Sequence, residues 1–296
     1  DIYQRTPLRY ATPLHYACWK GHMEVALALV DRGADINARD RYELTPLHHA
    51  SNTGNISLVN ALLDRGANIH AEDDFQRTPL HKACIKGHME LAMALLDRGA
   101  DIEARDRRQR TPLYWACDRG NMELFMALVD RGADIHARDS LENTPLHKAC
   151  IKGHMELAMA LVDRGADIHA RDAGQRTPLH EAVMYPHHIE LAIALVDRGA
   201  DVYARDARQR TPLDYLSDEN EDRLESMINR NVGNVMSSMV DRAERRNTVF
   251  ETAGNPYSTS RLSRLPPELL GEVNSYLGGK RKTKKRKTRR RKTRKH

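Results

Sequence analysis

The triplet Thr-Pro-Leu recurs along the chain, beginning at Thr12, Thr45, Thr78, Thr111, Thr144, Thr177 and Thr211, at five intervals of 33 residues and one of 34. A fixed period of that length marks a stacked array, in which each unit buries its apolar face only against its neighbours. The unit at 78–110 reads TPLHKACIKGHMELAMALLDRGADIEARDRRQR. Threonine suits a helix N-cap, and the proline after it fits the first helical turn, where a missing N–H costs nothing. A short first helix is predicted to end at glycines such as Gly87 and Gly153, whose missing Cβ suits a left-handed cap. Met89, Leu91, Ala92, Leu95 and Leu96 then follow helical spacing, with Gly99 as the stop. The GADIEARDRRQR stretch carries no helical stripe and reads as an extended turn or hairpin. The expected class is all-α, two helices and a hairpin per unit.

TPLH at the start, GH in the middle and GAD(I/V)xARD at the close resemble the ankyrin repeat over residues 2–240. The resemblance implies a solenoid over 1–216: a partial N-terminal unit, with QRTPL (4–8) crowding TPLH (12–15), then six full units and the start of a degenerate seventh. Two departures stand out. Glu43, Gln76, Gln109, Glu142, Gln175 and Gln209 occupy hairpin positions where the family often has Gly, so looser or differently turned fingers are expected. The sixth unit carries one extra residue in MYPHHIE (184–190), expected in its helix–helix loop. After TPLDYL (211–216), residues 217–246 read as C-terminal capping helices, the second with a stripe of Val232, Val235, Met236, Met239 and Val240. The chain opens at Asp1 without Met, which together with the partial first unit suggests a missing upstream portion.

Chemistry finds little purchase here. Cys18, Cys84, Cys117 and Cys150 share one position of the repeat. Stacked helical layers lie about 10 Å apart, too far for a disulfide between them, so these read as reduced core residues of an intracellular protein. His15, His48, His81, His147 and His180 belong to TPLH, and His22, His88 and His154 to the GH pair, all structural positions. Only His187 and His188 escape the pattern, as a weak metal signal. The Asp-Arg pairs of the DRG turns (Asp31/Arg32, Asp64/Arg65, Asp97/Arg98) read as a solvated charge ladder. No nucleophile elbow, phosphate loop or metalloprotease motif is present, so neither an enzyme nor a cofactor is expected. No stretch reaches the length of a membrane span.

The family resemblance implies a concave partner-binding face made of hairpin tips and first-helix residues, where this chain varies while its scaffold stays constant. The candidates are Trp19, Tyr42, Phe75, Ile85, Arg107, Arg108, Leu141, Ile151 and Tyr185. Trp, Tyr, Phe and Arg are the usual anchors of protein interfaces. Drift on a solvated surface after duplication is the competing reading.

The C-terminal end is of another kind. Beyond a linker at 247–262, the segment LPPELLGEVNSYL (265–277, within 263–278) places Leu265, Leu269, Leu270, Val273, Tyr276 and Leu277 on one helical face. It resembles the first helix of an F-box. That resemblance implies docking on the Skp adaptor of cullin ubiquitin ligases through Leu265, Pro266, Leu269, Leu270, Val273 and Leu277. Asn274 departs from the pattern and the later F-box helices are absent; a helix packed back on the stack is the alternative. The layout is similar to ankyrin/F-box-like proteins of large DNA viruses. In residues 279–296 the run Lys280, Arg281, Lys282, Lys284, Lys285, Arg286, Lys287, Arg289, Arg290, Arg291 and Lys292 opens a low-complexity basic tail expected to be disordered. Residues 280–296 carry thirteen cations and no acid, so a net charge of +6 leaves −7 on residues 1–279. Such a tail suits nuclear targeting or nonspecific nucleic-acid contact. Together these features predict a monomeric substrate-recruiting adaptor in host cytoplasm or nucleus. The alternatives are an ankyrin scaffold whose tail binds nucleic acid, without a ligase, and a fragment of a larger protein.

Overall fold

The computed structural model describes residues 12–216 of the chain. The N-terminal partial unit (1–11), the capping helices (217–246), the linker, the F-box-like segment and the basic tail lie outside the described residues. Units one to six span 12–44, 45–77, 78–110, 111–143, 144–176 and 177–210. Each begins with a short first helix: α1 (Pro13–Lys20), α3 (Pro46–Thr53), α5 (Pro79–Lys86), α7 (Pro112–Arg119), α9 (Pro145–Lys152) and α11 (Pro178–Val183). The second helices are α2 (Met23–Asp31), α4 (Ile56–Asp64), α6 (Met89–Asp97), α8 (Met122–Asp130), α10 (Met155–Asp163) and α12 (Ile189–Asp197). Among the described residues there is no strand. First helices stack on first helices and second on second, and the core runs between the two rows. Leu80 and its counterparts in all six units fill it, as do Leu91, Leu95 and their counterparts in units two to six, whereas in unit one Val25 is exposed and Leu29 half-buried. All four cysteines lie in it as free thiols, their pKa raised by burial, to about 12 at Cys18.

The histidine of TPLH joins unit to unit. In unit three the Thr78 backbone N–H donates to His81 Nδ1 at 3.1 Å, while His81 Nε2 lies 3.1 Å from the Arg110 carbonyl, just before the next unit. A backbone N–H can only donate and a carbonyl can only accept, so the ring is neutral with its proton on Nε2. His15, His48, His147 and His180 repeat the arrangement. Burial lowers the pKa of each ring, that of His48 to about 3. The GH histidines reach the other way: His88 Nε2 bonds the Asn52 carbonyl, and His154 Nε2 the Asp118 carbonyl, each at 3.3 Å.

The fingers keep one turn throughout, against the expectation of looser ones. Glu43, Gln76, Gln109, Glu142, Gln175 and Gln209 all adopt left-handed backbone, with φ between 58° and 62°. A buried aspartate holds the turn in place. Asp73 Oδ1 accepts from Phe75 N–H (2.8 Å) and Arg77 N–H (2.9 Å), while Gln76 N–H donates to the Asp73 carbonyl at 2.7 Å. Closing the turn this way offsets the roughly 1–2 kcal/mol of left-handed strain at a residue with a Cβ. Neighbouring fingers then share one backbone bond, such as Arg107 N–H to the Phe75 carbonyl at 2.8 Å. On the opposite edge, Arg65, Arg98, Arg131, Arg164 and Arg198 each pair with the aspartate of the unit before, Asp31, Asp64, Asp97, Asp130 and Asp163. These exposed pairs form a charge ladder, as expected, but each arginine is joined to the aspartate one unit back and not to its neighbour in the same DRG turn.

The extra residue of unit six is absorbed where expected, between α11 and α12, by a single 3-10 turn at Pro186–His188. The structure corrects one reading there. His188 does belong to the pattern: its ring lies against Gly153 as His154 lies against Gly120 and His88 against Gly54. A Cβ at Gly153 would come within 2.2 Å of the His188 ring, so the site is closed both by that ring and by the left-handed backbone of Gly153 (φ 72°).

Candidate protein-interaction groove

A groove lies between the fingers and the exposed edge of the first helices, and both walls follow from the helix period. In α1, Leu14, His15, Ala17 and Cys18 are buried, leaving Tyr16, Trp19 and Lys20, spaced three and four apart, on one outward stripe. The Tyr16 and Trp19 rings lie 5.9 Å apart and Lys20 Nζ sits 4.1 Å over the Trp19 ring. α3, α5, α7 and α9 present the same three positions, while the shorter α11 carries only the first of them, Glu181.

Most residues singled out in the sequence line this groove. Tyr42 (37% exposed), Phe75 (42%) and Leu141 (62%) stand at the finger tips. Arg107 and Arg108 are exposed on the tip between the last two, and Trp19, Ile85 and Ile151 are half-buried on the helix wall. The Arg41 guanidinium covers Tyr42 at 4.3 Å, and that of Arg77 covers Phe75 at 4.6 Å. Tyr185 is placed differently from its expected first-helix position. α11 stops at Val183, and Tyr185 takes extended backbone (φ −114°, ψ 115°), because the ring of Pro186 disfavours helix in the residue before it. Its side chain packs on His188 instead, ring centres 5.1 Å apart.

One row, the residue four after each unit's Thr, holds Tyr16, His49, Lys82, Trp115, Lys148 and Glu181, of which the sequence singles out Trp115 alone, as a half-packed position. These side chains sit at the foot of the groove, and most of them contact the finger base. His49 Nε2 lies 3.0 Å from Asp40, Lys82 Nζ 2.7 Å from Asp73 and Glu181 3.0 Å from Arg176, and the Arg110 guanidinium stacks on Trp115 at 4.2 Å. Their signal was variability itself, since this position changes in nearly every copy while its neighbours Leu, His and Ala barely do. Burial raises the pKa of Asp73, but Lys82 and Arg77 outweigh it and hold the carboxyl at about 2. Burial raises that of Glu181 above the usual carboxylate range.

The groove has a charge of its own. Counting the two tip residues and three helix residues of each unit gives ten cations (Lys20, Arg41, Lys82, Lys86, Arg107, Arg108, Arg119, Lys148, Lys152 and Arg208). Against them stand three anions (Asp74, Asp118 and Glu181), a balance of +7. The finger base beneath adds six buried aspartates (Asp40, Asp73, Asp106, Asp139, Asp172 and Asp206) and four arginines (Arg77, Arg110, Arg176 and Arg210), which lowers the balance to +5. Residues 12–216 together hold 25 Lys or Arg and 30 Asp or Glu, net −5, so everything outside the groove and its base carries −10. Among the described residues no group of three or more His, Cys, Asp or Glu is arranged to hold a metal ion. None of the described helices is long and apolar enough to cross a membrane.

The chain belongs to the ankyrin-repeat family: the family described as Ankyrin repeats (3 copies) matches residues 1–73, 47–139 and 136–206. Among solved structures it is similar to the human ASB11 ankyrin repeat domain, with a TM-score of 0.67 and 26% identity, covering 73% of this chain and 98% of that one. It is also similar to the ankyrin repeat domain of Bcl-3, a member of the IkappaB protein family, with a TM-score of 0.63 and 28% identity over 73% of this chain and 98% of the other. No curated protein sequence matches it. Ankyrin repeats are protein-interaction scaffolds, and the described part of this chain is one.

Proposed function

We propose that this chain is a non-catalytic intracellular adaptor that holds a partner protein along the groove between its fingers and first helices. The observation that carries the reading is the division of labour within the repeat. Core, caps, finger turns and inter-unit bonds recur from copy to copy, while the groove positions change to Trp, Tyr, Phe, Ile and Arg, residue types that anchor interfaces. The rings of Tyr42 and Phe75 stand part-exposed at the finger tips, each covered on one side by an arginine and outside the apolar core.

A second reading adds a job for the C-terminal end and rests on sequence alone. LPPELLGEVNSYL at 265–277 supports recruitment of a Skp adaptor and cullin ligase, so that a target in the groove is brought to the ligase by proximity. The basic run from Lys280 onward would then place the assembly in the nucleus or near nucleic acid. A large-DNA-virus origin fits the same layout.

The experiment is an affinity capture from eukaryotic lysate in three arms: the full chain, a Tyr42→Ala/Phe75→Ala variant and a Leu269→Asp/Leu270→Asp variant. The groove reading expects proteins held by the full chain to be lost with the first variant. If both hold the same proteins in the same amounts, the groove is not the binding face. The ligase reading expects Skp adaptor and cullin with the full chain and their absence with the second variant. Their absence from both ends that reading and leaves the groove untouched.

A further inference from the structure

The groove is assigned a partner above, and its charge and its centre say what kind. We infer that the groove takes an acidic protein segment, whose carboxylates meet Arg107, Arg108 and Lys86 and whose apolar side chain covers Trp115. The inference rests on the groove reading and narrows it.

Charge is the first support. The groove and its base carry +5 while the rest of residues 12–216 carries −10, so cations have been gathered onto one face of an acidic body. Opposed potentials of this kind steer a complementary partner in and turn like-charged ones away. The second support is which cations are spare. Almost every arginine at the finger bases and along the outer ladder is spent on an aspartate of this chain, as Arg77, Arg110 and Arg176 are. Arg107, Arg108 and Lys86 make no side-chain ion pair among the described residues, and all three are exposed. Arg107 and Arg108 share the tip of finger three, and Lys86 ends α5, the first helix of the same unit. A planar guanidinium offers a bidentate fork to a carboxylate, and two adjacent on one tip favour a run of acids over a single one.

The third support is Trp115, at the foot of unit four. Its ring is half-buried under Arg110, and its Nε1–H is buried with no acceptor among the described residues. Units three and five, on either side, carry the same helix PLHKACIK and so set Ile85 and Ile151 symmetrically about the tryptophan. The centre is therefore indole-lined, with Ile85 and Ile151 on either side, Arg110 stacked on the ring and Asp118 one helical turn away.

A nucleic acid fits less well. Asp118 stands in the middle of the site, one helical turn from Trp115, and Asp74 sits beside Phe75 at the tip, so a phosphate backbone running the groove would meet carboxylates at both walls. A peptide can set a neutral or apolar residue opposite them.

The test is to pan a random 16-residue peptide library on the full chain and to measure the selected peptides against variants. The expected outcome is enrichment in Asp and Glu around an aromatic or aliphatic residue. Binding should weaken tenfold or more with Arg107→Glu/Arg108→Glu, fall as salt rises, and quench Trp115 fluorescence in a Trp19→Phe background. Neutral or basic peptides that bind the full chain and are lost on Tyr42→Ala/Phe75→Ala would overturn the acidic partner and leave the groove reading standing. Peptides indifferent to every groove variant would overturn both. Two further arms address other occupants. Single-stranded DNA that binds as tightly and loses as much on charge reversal, or self-association abolished by it, would replace the acidic peptide with nucleic acid or a second copy.

Discussion

Helices α5 and α9 have the same sequence, PLHKACIK, yet the pKa of their matching lysines, buried Lys82 and half-buried Lys148, shifts in opposite directions. Lys82 is lowered: burial and the neighbouring Arg77 outweigh its 2.7 Å contact with Asp73. Lys148 is raised: burial opposes it, but a 2.8 Å bond to Asp118 and contact with Tyr114 win. The difference comes wholly from the adjacent units. The finger before α5 ends in Asp73 and Arg77, whereas the finger before α9 has Asn143 in place of the arginine, and unit four supplies Asp118 where unit two has Asn52. In a solenoid a residue's environment is written one unit away, so identical segments are not equivalent sites.

The sharpest way to break that comparison is to remove each lysine's acid. Asp73 is buried between two cations, so Asp73→Asn leaves both without a counter-charge and is expected to destabilise by about 3 kcal/mol in urea unfolding. Asp118 is partly exposed, so Asp118→Asn is expected to lose about 1 kcal/mol and to leave Lys148 nearer its ordinary pKa. Equal losses would mean the two sites are alike after all.

Unit four suggests the next change. It carries Tyr114 where its neighbours carry the capping histidine, and it has no reciprocal cap. His48→Tyr should lose the bond to the Arg77 carbonyl and about 1 kcal/mol at pH 7. It should also alter the pH profile. The folded pKa of His48, about 3, lies below its ordinary 6.5, so its stabilisation is present above 6.5 and is lost as pH falls toward 3. The variant's unfolding free energy should therefore fall with a shallower slope between pH 6 and 4, by about one proton. Asp73 acts lower, between its ordinary 3.8 and about 2, and its variant should differ there instead.

The finger turn offers a change of opposite sign. Gln76→Gly relieves left-handed backbone at φ 58° and should gain up to about 1 kcal/mol. Smallest of all is the outer ladder. Arg98→Ala removes an exposed pair with Asp64 and should shift stability by no more than about 0.5 kcal/mol.

Much of this was legible beforehand because repetition multiplies weak signals. One Thr-Pro-Leu is a poor helix predictor; seven at intervals of 33 or 34 define period, helix starts and core positions together. The tips Tyr42 and Phe75 could be named as groove residues because the finger's place in the unit is constant. Less legible were features that depend on what lies across a gap. Tyr185 was placed on a first helix because its offset from Thr177 matched, but Pro186 ends that helix early. His188 looked irregular because the extra residue shifts its number, while in space its ring occupies the place of His154. The glutamines at the finger turns looked like a weakness, until each turn proved to be closed by its buried aspartate.

By itself, the sequence determined the order of the six described units, where their helices begin, the buried cysteines and the segregation of variable residues from constant ones. All of these are set within one period by backbone sterics and apolar spacing. Only the tertiary structure decided which acid each cation serves, that the Trp115 indole N–H finds no acceptor among the described residues, and that the Arg107, Arg108 and Lys86 side chains make no ion pair among them. Those outcomes depend on contacts about 30 residues apart in the chain but one layer apart in space. Coulombic and hydrogen-bond energies follow distance, not sequence order, and repeating a segment does not repeat its neighbours.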